Sequence, residues 1–561
     1  MKVSELPYQR YTVERGQEAF KSVIEKIKNA TSAEEVLAVR KQFLTEMEDM
    51  STQSSLAYMR WSCNTKDEFY KAEKEYYEQN MPLLSGLQIE YTKAMLETPF
   101  KDELQKLLPA PVYKGYEITL KSLDERTIPE MQKESAICSE YSQFMSELVI
   151  PFRGEKLPLT LLRKYMDDAD RATRIEAFEA LGKTLEEHSE FLDRVYDDLV
   201  KVRTQMAKKM GYENFVELGY YKMGRICYDR TNVEEFRKNI LEDIVPVVTR
   251  VRTARAKQMG IDEMKLYDYG VCFVDGDPEP ILNDKQMFEA GRAMYHEMSA
   301  ETGAFIDMMI ENEAFDVISR EGKWGGGYCT EFAKYKQPFI LANFNGTSGD
   351  VDVLTHEAGH AFASYLSFKN DHDAEAGLGM ETAETHSMSM ECFCWKFMDK
   401  FFGERAQDYK YKHLLDNLSF LTYGIIVDAF QHVVYENPEL TPAQRNEEWL
   451  KLERTFRPYM NADGITYFEK GTRWQYQMHI FESPFYYIDY CLAQSNALQF
   501  LFKSLENYED AFAKYFKFTS NGGTMYFTDM LEDAGINSPF KKGALKEVAE
   551  KSEELLNKLT R

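Results

Sequence analysis

His356-Glu357-Ala358-Gly359-His360 is the stretch that decides how this chain is interpreted. It reads His-Glu-x-x-His, and two imidazoles four residues apart on a helix point to the same side, where both can ligate one zinc ion. Glu357 would then lie beside the metal and take a proton from a zinc-bound water. The alternative is a pair of histidines that hydrogen-bond inside a buried helix.

The residues around the motif predict the helix that it needs. Residues 347–350 offer N-cap side chains, and the apolar residues that follow have a helical period. Those apolar positions are Val351, Leu354, Ala358, Ala361, Phe362 and Leu366. Asp352 lies four residues before His356 on the same face, so it can accept the free ring N–H of that histidine. The other interpretation of Asp352 is an acid that complements the helix dipole in the first turn.

A catalytic zinc site needs a third protein ligand and one open position. Residues 381–391 offer four candidates, which are Glu381, Glu384, His386 and Glu391. Glu384 and Glu391 are seven residues apart and share a helix face, so one can bind the metal while the other supports the ligands. A solvated acidic face is the alternative. The interleaved methionines and the Cys-Phe-Cys-Trp run at 392–395 instead indicate a buried segment, where a carboxylate needs a partner.

The pattern Glu-x-x-Ser-x-x-x-Glu at residues 384–391 follows shortly after His-Glu-x-Gly-His. Together they resemble the oligoendopeptidase F and thimet oligopeptidase family of zinc metallopeptidases. The match extends back through residues 338–352 and forward to His479 and residues 485–490. In length and in these blocks the chain is similar to the bacterial oligoendopeptidase F branch.

The resemblance implies roles for several residues. His356, His360 and Glu384 would be the protein ligands of one Zn2+ per chain, and Glu357 would be the general base. We expect Glu391 to support the ligands. The spacing from His360 to Glu384 is also close to that of the angiotensin-converting-enzyme type of peptidyl dipeptidase, so the spacing alone does not decide the branch.

A second candidate cluster consists of His479 and the tyrosines that follow it. Peptide hydrolysis creates an anionic oxygen, which a neutral donor such as a tyrosine hydroxyl or a histidine can stabilise. Tyr486 and Tyr490 are four residues apart and share a helix face, whereas Tyr487 faces elsewhere. The resemblance places a histidine and tyrosines here, so we expect His479, Tyr486 and Tyr490 in catalysis and Tyr487 in substrate binding. An aromatic core stripe is the alternative.

The chain as a whole predicts a mostly α-helical protein. Helical periods cover residues 13–98, 134–145, 160–181, 185–210, 233–258, 284–312 and the part beyond 384. Ser32 is the predicted N-cap of one helix, and Glu35 would complete a capping box with it. We expect an N-terminal helical region at 1–190 and a catalytic region at 191–561, with one continuous helical body as the alternative.

Three short strands are predicted, at residues 269–274, 327–332 and 338–344. The last two immediately precede the zinc helix, so a small sheet should flank it. The edge of this sheet can pair with an extended peptide through main-chain hydrogen bonds, or the sheet can serve packing alone. We expect Gly327 and Tyr328, at the start of one strand, to contact the substrate.

Composition excludes several classes of protein. Of 561 residues, 44% are hydrophobic, which suits a large core. The formal net charge of −25 argues against nucleic-acid binding. No run reaches about 18 apolar residues, so no membrane span is expected. Eight scattered cysteines and no recognisable signal peptide predict reduced thiols and a cytoplasmic location. The sequence indicates no oligomeric state.

Taken together, these features predict a large helical, zincin-like endopeptidase that hydrolyses internal bonds of short unstructured peptides. The deep substrate channel and the restriction to short peptides are implications of the resemblance. A peptidyl dipeptidase or metallocarboxypeptidase is the first alternative, and it needs a cation for the peptide carboxylate, such as Arg225 or Arg473. A peptide-binding protein without activity is the second.

Overall fold

Long helices begin at the N-terminal end of the chain, as the sequence predicts. The computed structural model describes residues 1–560. The first seven helices are α1 (Val13–Asn29), α2 (Ala33–Cys63), α3 (Glu68–Asn80), α4 (Ser85–Glu97), α5 (Lys101–Leu107), α6 (Ala110–Ser122) and α7 (Ile128–Glu147).

Helix α2 begins with the predicted N-cap, but the predicted capping box does not form. The Ser32 hydroxyl accepts a hydrogen bond from Glu35 N at 3.2 Å. The Glu35 carboxylate accepts from Thr31 N at 2.7 Å and from the Thr31 hydroxyl at 3.0 Å. The prediction that Glu35 accepts from Ser32 N is therefore wrong, because Thr31, one residue earlier, offers this carboxylate two donors.

A β-hairpin and eight further helices lead to the motif region. The hairpin strands, which the sequence analysis does not identify, are β1 (Val149–Phe152) and β2 (Glu155–Pro158), paired antiparallel. The helices are α8 (Leu159–Met166), α9 (Arg171–Glu187), α10 (Ser189–Met210), α11 (Phe215–Lys222), α12 (Arg230–Asn239), α13 (Val245–Gln258), α14 (Asp284–Met298) and α15 (Ala300–Glu311).

A three-stranded sheet precedes the helix that carries the His-Glu-x-x-His motif. Its strands are β3 (Phe315–Ile318), β4 (Tyr328–Phe332) and β5 (Gln337–Phe344), in the order β3-β5-β4. The central β5 pairs parallel with β3 and antiparallel with β4, where Tyr328 lies opposite Leu341. The predicted strands at 327–332 and 338–344 are confirmed, and β4 is an edge strand of the sheet. β3 was not predicted.

The strand predicted at 269–274 does not form. The carbonyl oxygens of Tyr269 and Cys272 accept from Arg252 and Arg255, respectively. Cys272 N donates to the Asp277 carboxylate at 2.9 Å. Side chains thus satisfy backbone groups that a strand would offer to a neighbour, so Val271, Cys272 and Phe273 are buried in an irregular segment and Val274 is exposed.

Two helices carry the predicted metal ligands: α16 (Ser348–Lys369) and α17 (Met380–Cys394). The remaining helices are α18 (Asp399–Phe402), α19 (Ala406–Glu436), α20 (Pro442–Phe456), α21 (Thr466–Glu469), α22 (Met478–Glu482), α23 (Tyr487–Glu506), α24 (Tyr508–Ser520), α25 (Phe527–Asp533) and α26 (Lys546–Leu559). The prediction of a mostly helical protein with a small sheet beside the motif helix is confirmed.

Glycine at the centre of the motif lets α16 and α17 approach closely. A Cβ added at Gly359 would lie 2.6 Å from Ser387 Cα and 2.9 Å from His386 O. Both neighbours are backbone atoms, which cannot move aside as a flexible side chain can. The absence of a side chain at Gly359 therefore sets the distance between the two ligand-bearing helices.

The N-terminal helices have an apolar core of their own, and a buried ion pair joins them to the motif region. Phe20, Val36 and Tyr91 belong to that core. Arg40 on α2 donates to both oxygens of Asp373 at 2.6 Å and to Glu375. Asp373 and Glu375 lie in the loop that joins α16 to α17, so the N-terminal helices hold this loop. The division at residue 190 stays a prediction.

One helical segment, Asp399–Glu436, is long and apolar enough by composition to cross a membrane. In this structure 89% of its most apolar window is buried inside the protein. This degree of burial is the one expected for a core helix.

Replacing Gly359 with Ala should push α16 and α17 apart. Overpacking of this kind costs about 1–3 kcal/mol of the free energy of unfolding, and the displaced ligands should retain zinc less well. Urea unfolding and metal analysis on one sample measure both. Gly115→Ala is the matched control, because a Cβ there meets open space in the middle of α6. A Gly359→Ala protein as stable as the parent would contradict the close approach.

Candidate metal centre and active site

The structure brings the three predicted metal ligands together between α16 and α17. Glu384 Oε2 lies 3.4 Å from His356 Nε2 and 3.5 Å from His360 Nε2. One donor atom of each side chain lies within 4.8 Å of the other two. Glu384 is buried, whereas both imidazoles keep part of their surface accessible. Burial disfavours ionisation of Glu384, but the two histidines hold its pKa well below the ordinary value.

Glu391 connects His356 to a second histidine on α19. Its Oε1 lies 2.6 Å from His356 Nδ1 and its Oε2 lies 2.9 Å from His413 Nε2. The Trp395 indole N–H donates to His413 Nδ1 at 3.0 Å, so neutral His413 carries its proton on Nε2. Burial would raise the pKa of Glu391, but hydrogen bonds from both histidines lower it to about 2. Ionised Glu391 thus accepts from His356 Nδ1 and leaves His356 Nε2 free as a ligand.

Asp352 does not have the predicted contact with His356. Its carboxylate accepts from the Tyr409 hydroxyl at 2.5 Å, and both ring nitrogens of His356 face glutamates of α17. Tyr409 of α19 thus engages Asp352, and Glu391 of α17 takes the position predicted for it.

Of the four candidates on α17, only Glu384 belongs to the donor cluster, and apart from Glu391, which contacts His356, the other two lie away from it. His386 packs against Phe518 with ring centroids 5.5 Å apart, and burial lowers its pKa to about 3. Burial raises the pKa of Glu381, and the negative charge of Asp489 raises it further. Neither residue belongs to the group of donor atoms that His356, His360 and Glu384 form within residues 1–560.

Glu357 lies beside the ligand triad with a free carboxylate. The residue is partly exposed on α16, and within the described chain its side chain makes no hydrogen bond or ion pair. Its electrostatic neighbours include Cys329 on β4 and Tyr490 on α23. The carboxylate is therefore near both the edge strand and the tyrosine cluster, and no protein group competes for its lone pairs.

The tyrosine cluster reaches the triad through one hydroxyl. Tyr486 donates to Glu384 Oε1 at 2.8 Å. The Tyr490 ring lies tilted beside it, with ring centroids 4.8 Å apart. Tyr487 does not face elsewhere as predicted, because its ring contacts those of His479 and Tyr490, with centroids 4.9 and 5.6 Å away. The predicted grouping of Tyr486 with Tyr490 is therefore seen, and the catalytic and substrate-binding roles of the three stay predictions.

His479 belongs to the same cluster, and its tautomer is set by a hydrogen-bond chain. Its ring lies 5.8 Å from those of both Tyr486 and Tyr490. The Tyr423 hydroxyl donates to Gln477 Oε1 at 2.7 Å, and Gln477 Nε2 donates to His479 Nδ1 at 3.0 Å. Burial lowers the pKa of His479. The neutral ring therefore carries its proton on Nε2, where it can be donated.

A cavity of about 1250 Å³ lies between the N-terminal helices and the start of α17. Tyr91 and Tyr116 line one side, and Glu381 and Thr382, which precede Glu384 by about one helical turn, line the other. On β4, Glu331 also lines the cavity. This space is large enough for several residues of a peptide, and its lining residues include neither the three ligands nor Glu357.

Gly327 and Tyr328, the predicted substrate contacts, lie at the start of edge strand β4. The Tyr328 ring packs 5.5 Å from Tyr58 of α2 and 5.9 Å from Trp324. Gly327 is exposed. Their role in substrate binding stays a prediction.

Three residues around the site carry no sequence signal of their own. His413 and Trp395 orient Glu391, and Gln477 orients His479. His413 lies 22 residues after Glu391 in the chain, whereas Trp395 follows α17 directly and Gln477 lies two residues before His479. Residue type and spacing do not reveal these roles, and the hydrogen bonds in the structure identify them.

Replacing Glu384 with Gln should strongly weaken zinc retention, because an amide oxygen brings no negative charge to the two imidazoles. Glu381→Gln is the matched control on the same helix and should retain zinc, because Glu381 lies outside the donor cluster. Metal content after dialysis against a weak chelator measures the difference. Loss of zinc from the Glu381→Gln protein alone would show that the third ligand is misassigned.

Replacing Glu391 with Gln should weaken zinc binding by about 10–100-fold, the usual effect of removing a partner that orients a ligand. Asp352→Asn should leave the affinity near that of the parent, because Asp352 contacts Tyr409 instead of His356. Chelator competition gives both dissociation constants. An equal loss in the two variants would argue against the orienting role of Glu391.

Comparisons with known proteins agree with this site. The model of Peptidase family M3 matches residues 164–550, and that of the Peptidase M3 N-terminal domain matches residues 3–123. Oligopeptidase PepF of Bacillus subtilis (strain 168) is 23% identical over 384 residues, which cover 66% of this chain and 55% of the relative. An oligoendopeptidase F homolog of Borreliella burgdorferi is 25% identical over 237 residues, 41% of this chain and 39% of its own. The matches thus span about half or less of these two relatives.

Solved structures match over nearly the whole length. PZ peptidase A with inhibitor 2 superposes with a TM-score of 0.95 at 40% identity, covering 99% of both chains. A Bacillus anthracis str. Ames protein assigned as an oligoendopeptidase F gives a TM-score of 0.89 at 38% identity, covering 100% of this chain and 98% of its own. With the family model matched across the motif helices and the whole architecture shared, this chain belongs to peptidase family M3, in the oligoendopeptidase F branch.

Proposed function

We propose that this protein is a zinc-dependent oligopeptidase that hydrolyses internal bonds of short unstructured peptides. The observation that carries the proposal is the convergence of His356, His360 and Glu384, with Glu357 free beside them. Membership of family M3 supports the same reading.

The donor set fits one zinc ion per chain. Two imidazoles and one carboxylate are ligands that zinc accepts, and three protein ligands leave one position open, as in catalytic sites. Glu391 supports the fit because it fixes the His356 ring with Nε2 toward the cluster. When bound there, zinc supplies a Lewis acid that polarises a carbonyl and acidifies a water molecule.

Glu357 is the group best placed to move the proton. Its carboxylate has no hydrogen-bond or ion-pair partner in the described chain, so it can accept the proton of the attacking water and then transfer it to the leaving amine nitrogen. His479 can donate its Nε2–H to the carbonyl oxygen as negative charge develops there, and Tyr490 lies beside it as a second donor.

The shape of the site supports an extended peptide as the substrate. The cavity beside α17 can hold several residues of an extended chain, and edge strand β4 offers main-chain groups for pairing. Residues of several helices line this space, and we propose that it admits flexible peptides and not folded proteins.

The peptidyl dipeptidase and carboxypeptidase alternative lacks a free cation among the two arginines considered for it. Arg225 is buried and pairs with Asp489 at 3.2 Å. Arg473 lies over the Tyr423 ring at 4.4 Å, near Glu453. Neither is presented for the terminal carboxylate of a peptide, which favours the endopeptidase. We also propose a cytoplasmic location, since all eight cysteines are free thiols.

The proposal is tested with peptides capped at both ends, whose products are read by mass spectrometry with and without a chelator. We expect internal cleavage that the chelator abolishes. Glu357→Gln should keep its zinc and lose turnover by roughly 10²–10⁴-fold, the usual contribution of a general base.

Three results would contradict the assignment in different ways. Cleavage only of peptides with a free carboxyl end would favour the dipeptidase or carboxypeptidase alternative. A purified protein with neither zinc nor chelator-sensitive activity would favour a peptide-binding protein. Loss of zinc from the Glu357→Gln protein would make Glu357 a ligand.

A further inference from the structure

Phe485, directly before Tyr486, has a backbone conformation that a bulky side chain rarely adopts. Its φ is 67°, in the left-handed region. The residue is fully buried, so no surface flexibility accounts for the conformation. Such a conformation persists only where the surroundings hold it, and it is often associated with a functional site.

Two buried side chains hold both polar groups of the Phe485 backbone. Phe485 N donates to Gln431 Oε1 at 3.0 Å, and Phe485 O accepts from Arg225 Nη2. Gln431 comes from α19, and Arg225 follows α11, so the turn is held from two sides. Gly219 of α11 leaves room for the Phe485 ring, because a Cβ there would lie 2.5 Å from it.

Arg225 is itself fixed by the first turn of α23. Asp489 Oδ1 accepts from Arg225 Nη2 at 3.2 Å and from the Tyr228 hydroxyl at 2.8 Å. The guanidinium also stacks over the Tyr220 ring at 4.3 Å. Asp489 lies three residues after Tyr486, so Arg225 ties the turn before that tyrosine to the helix after it.

The position of the turn determines where the Tyr486 hydroxyl lies. Tyr486 donates to Glu384 Oε1 at 2.8 Å, while Glu384 Oε2 faces the two histidines. The two oxygens of one carboxylate thus have different partners. With Oε1 held by the phenol, Oε2 is the oxygen turned toward the metal cluster.

We propose that Gln431 and Arg225 are positioning residues of the metal centre: they hold the Phe485 turn and thereby keep the Tyr486 hydroxyl on the outer oxygen of Glu384. The inference rests on the proposed zinc function. It means that Gln431 and Arg225, which lie outside the cluster, contribute to zinc affinity. They act through Tyr486, so their effect should vanish when that hydroxyl is absent.

A double-mutant cycle tests this dependence with zinc affinity as the readout. Tyr486→Phe and Gln431→Met should each raise the zinc dissociation constant by about tenfold or more, as expected for a lost orienting contact. The double variant should bind zinc no more weakly than Tyr486→Phe alone. Cobalt-loaded Gln431→Met and Tyr486→Phe proteins should show the same altered absorption spectrum. Arg225→Met should behave in the same way, and Gln431→Met decides the question where Arg225→Met does not fold.

Gln499→Met is the matched control for a purely structural effect. Gln499 is also buried on a core helix and holds a loop backbone, accepting from Asn537 N at 2.8 Å and donating to Asn537 O at 3.0 Å. The Gln499→Met variant should have a lower thermal unfolding midpoint and the zinc affinity of the parent protein. Additive losses in the double variant, or an unchanged zinc affinity in Gln431→Met or Tyr486→Phe, would overturn the proposal. A parent protein that binds no zinc would instead refute the proposed function.

Discussion

The need to neutralise two buried carboxylates on α17 governs the centre of this molecule. Glu384 and Glu391 lie two turns apart on one face, and neither can remain ionised in the interior without partners. Their partners are histidines on α16 and α19. Three helices from separate parts of the chain are therefore joined by these contacts at the point where the metal ligands meet, and the absence of a side chain at Gly359 lets two of them approach closely.

The same arrangement recurs around the centre, where polar side chains fix the orientation of a neighbouring ring or backbone turn. Glu391 fixes the His356 ring, Gln477 fixes the His479 ring, and Gln431 fixes the Phe485 turn. Each contact restricts the rotation of a group near the triad. A site assembled this way has its reacting groups oriented before substrate arrives, which is the condition under which hydrogen bonds contribute most to catalysis.

Local patterns in the sequence predict the helices, two strands of the small sheet and the grouping of the triad, because these depend on period and spacing. They fail where a distant side chain decides the outcome. Asp352 is the predicted partner of His356, but Glu391 of α17 contacts that ring and Tyr409 of α19 contacts Asp352. The apolar run at 269–274 has the composition of a strand, but arginines of α13 bind its carbonyls. No single segment contains that information.

The ion pair between Arg40 and the loop after α16 has a consequence for biosynthesis. Its partners are 333 residues apart in the chain, so Arg40 leaves the ribosome long before Asp373 exists. A buried guanidinium without its acid is costly, so Arg40 reaches its final environment only when Asp373 has been made. The loop between the two ligand-bearing helices therefore takes its final position only once both halves of the chain are present.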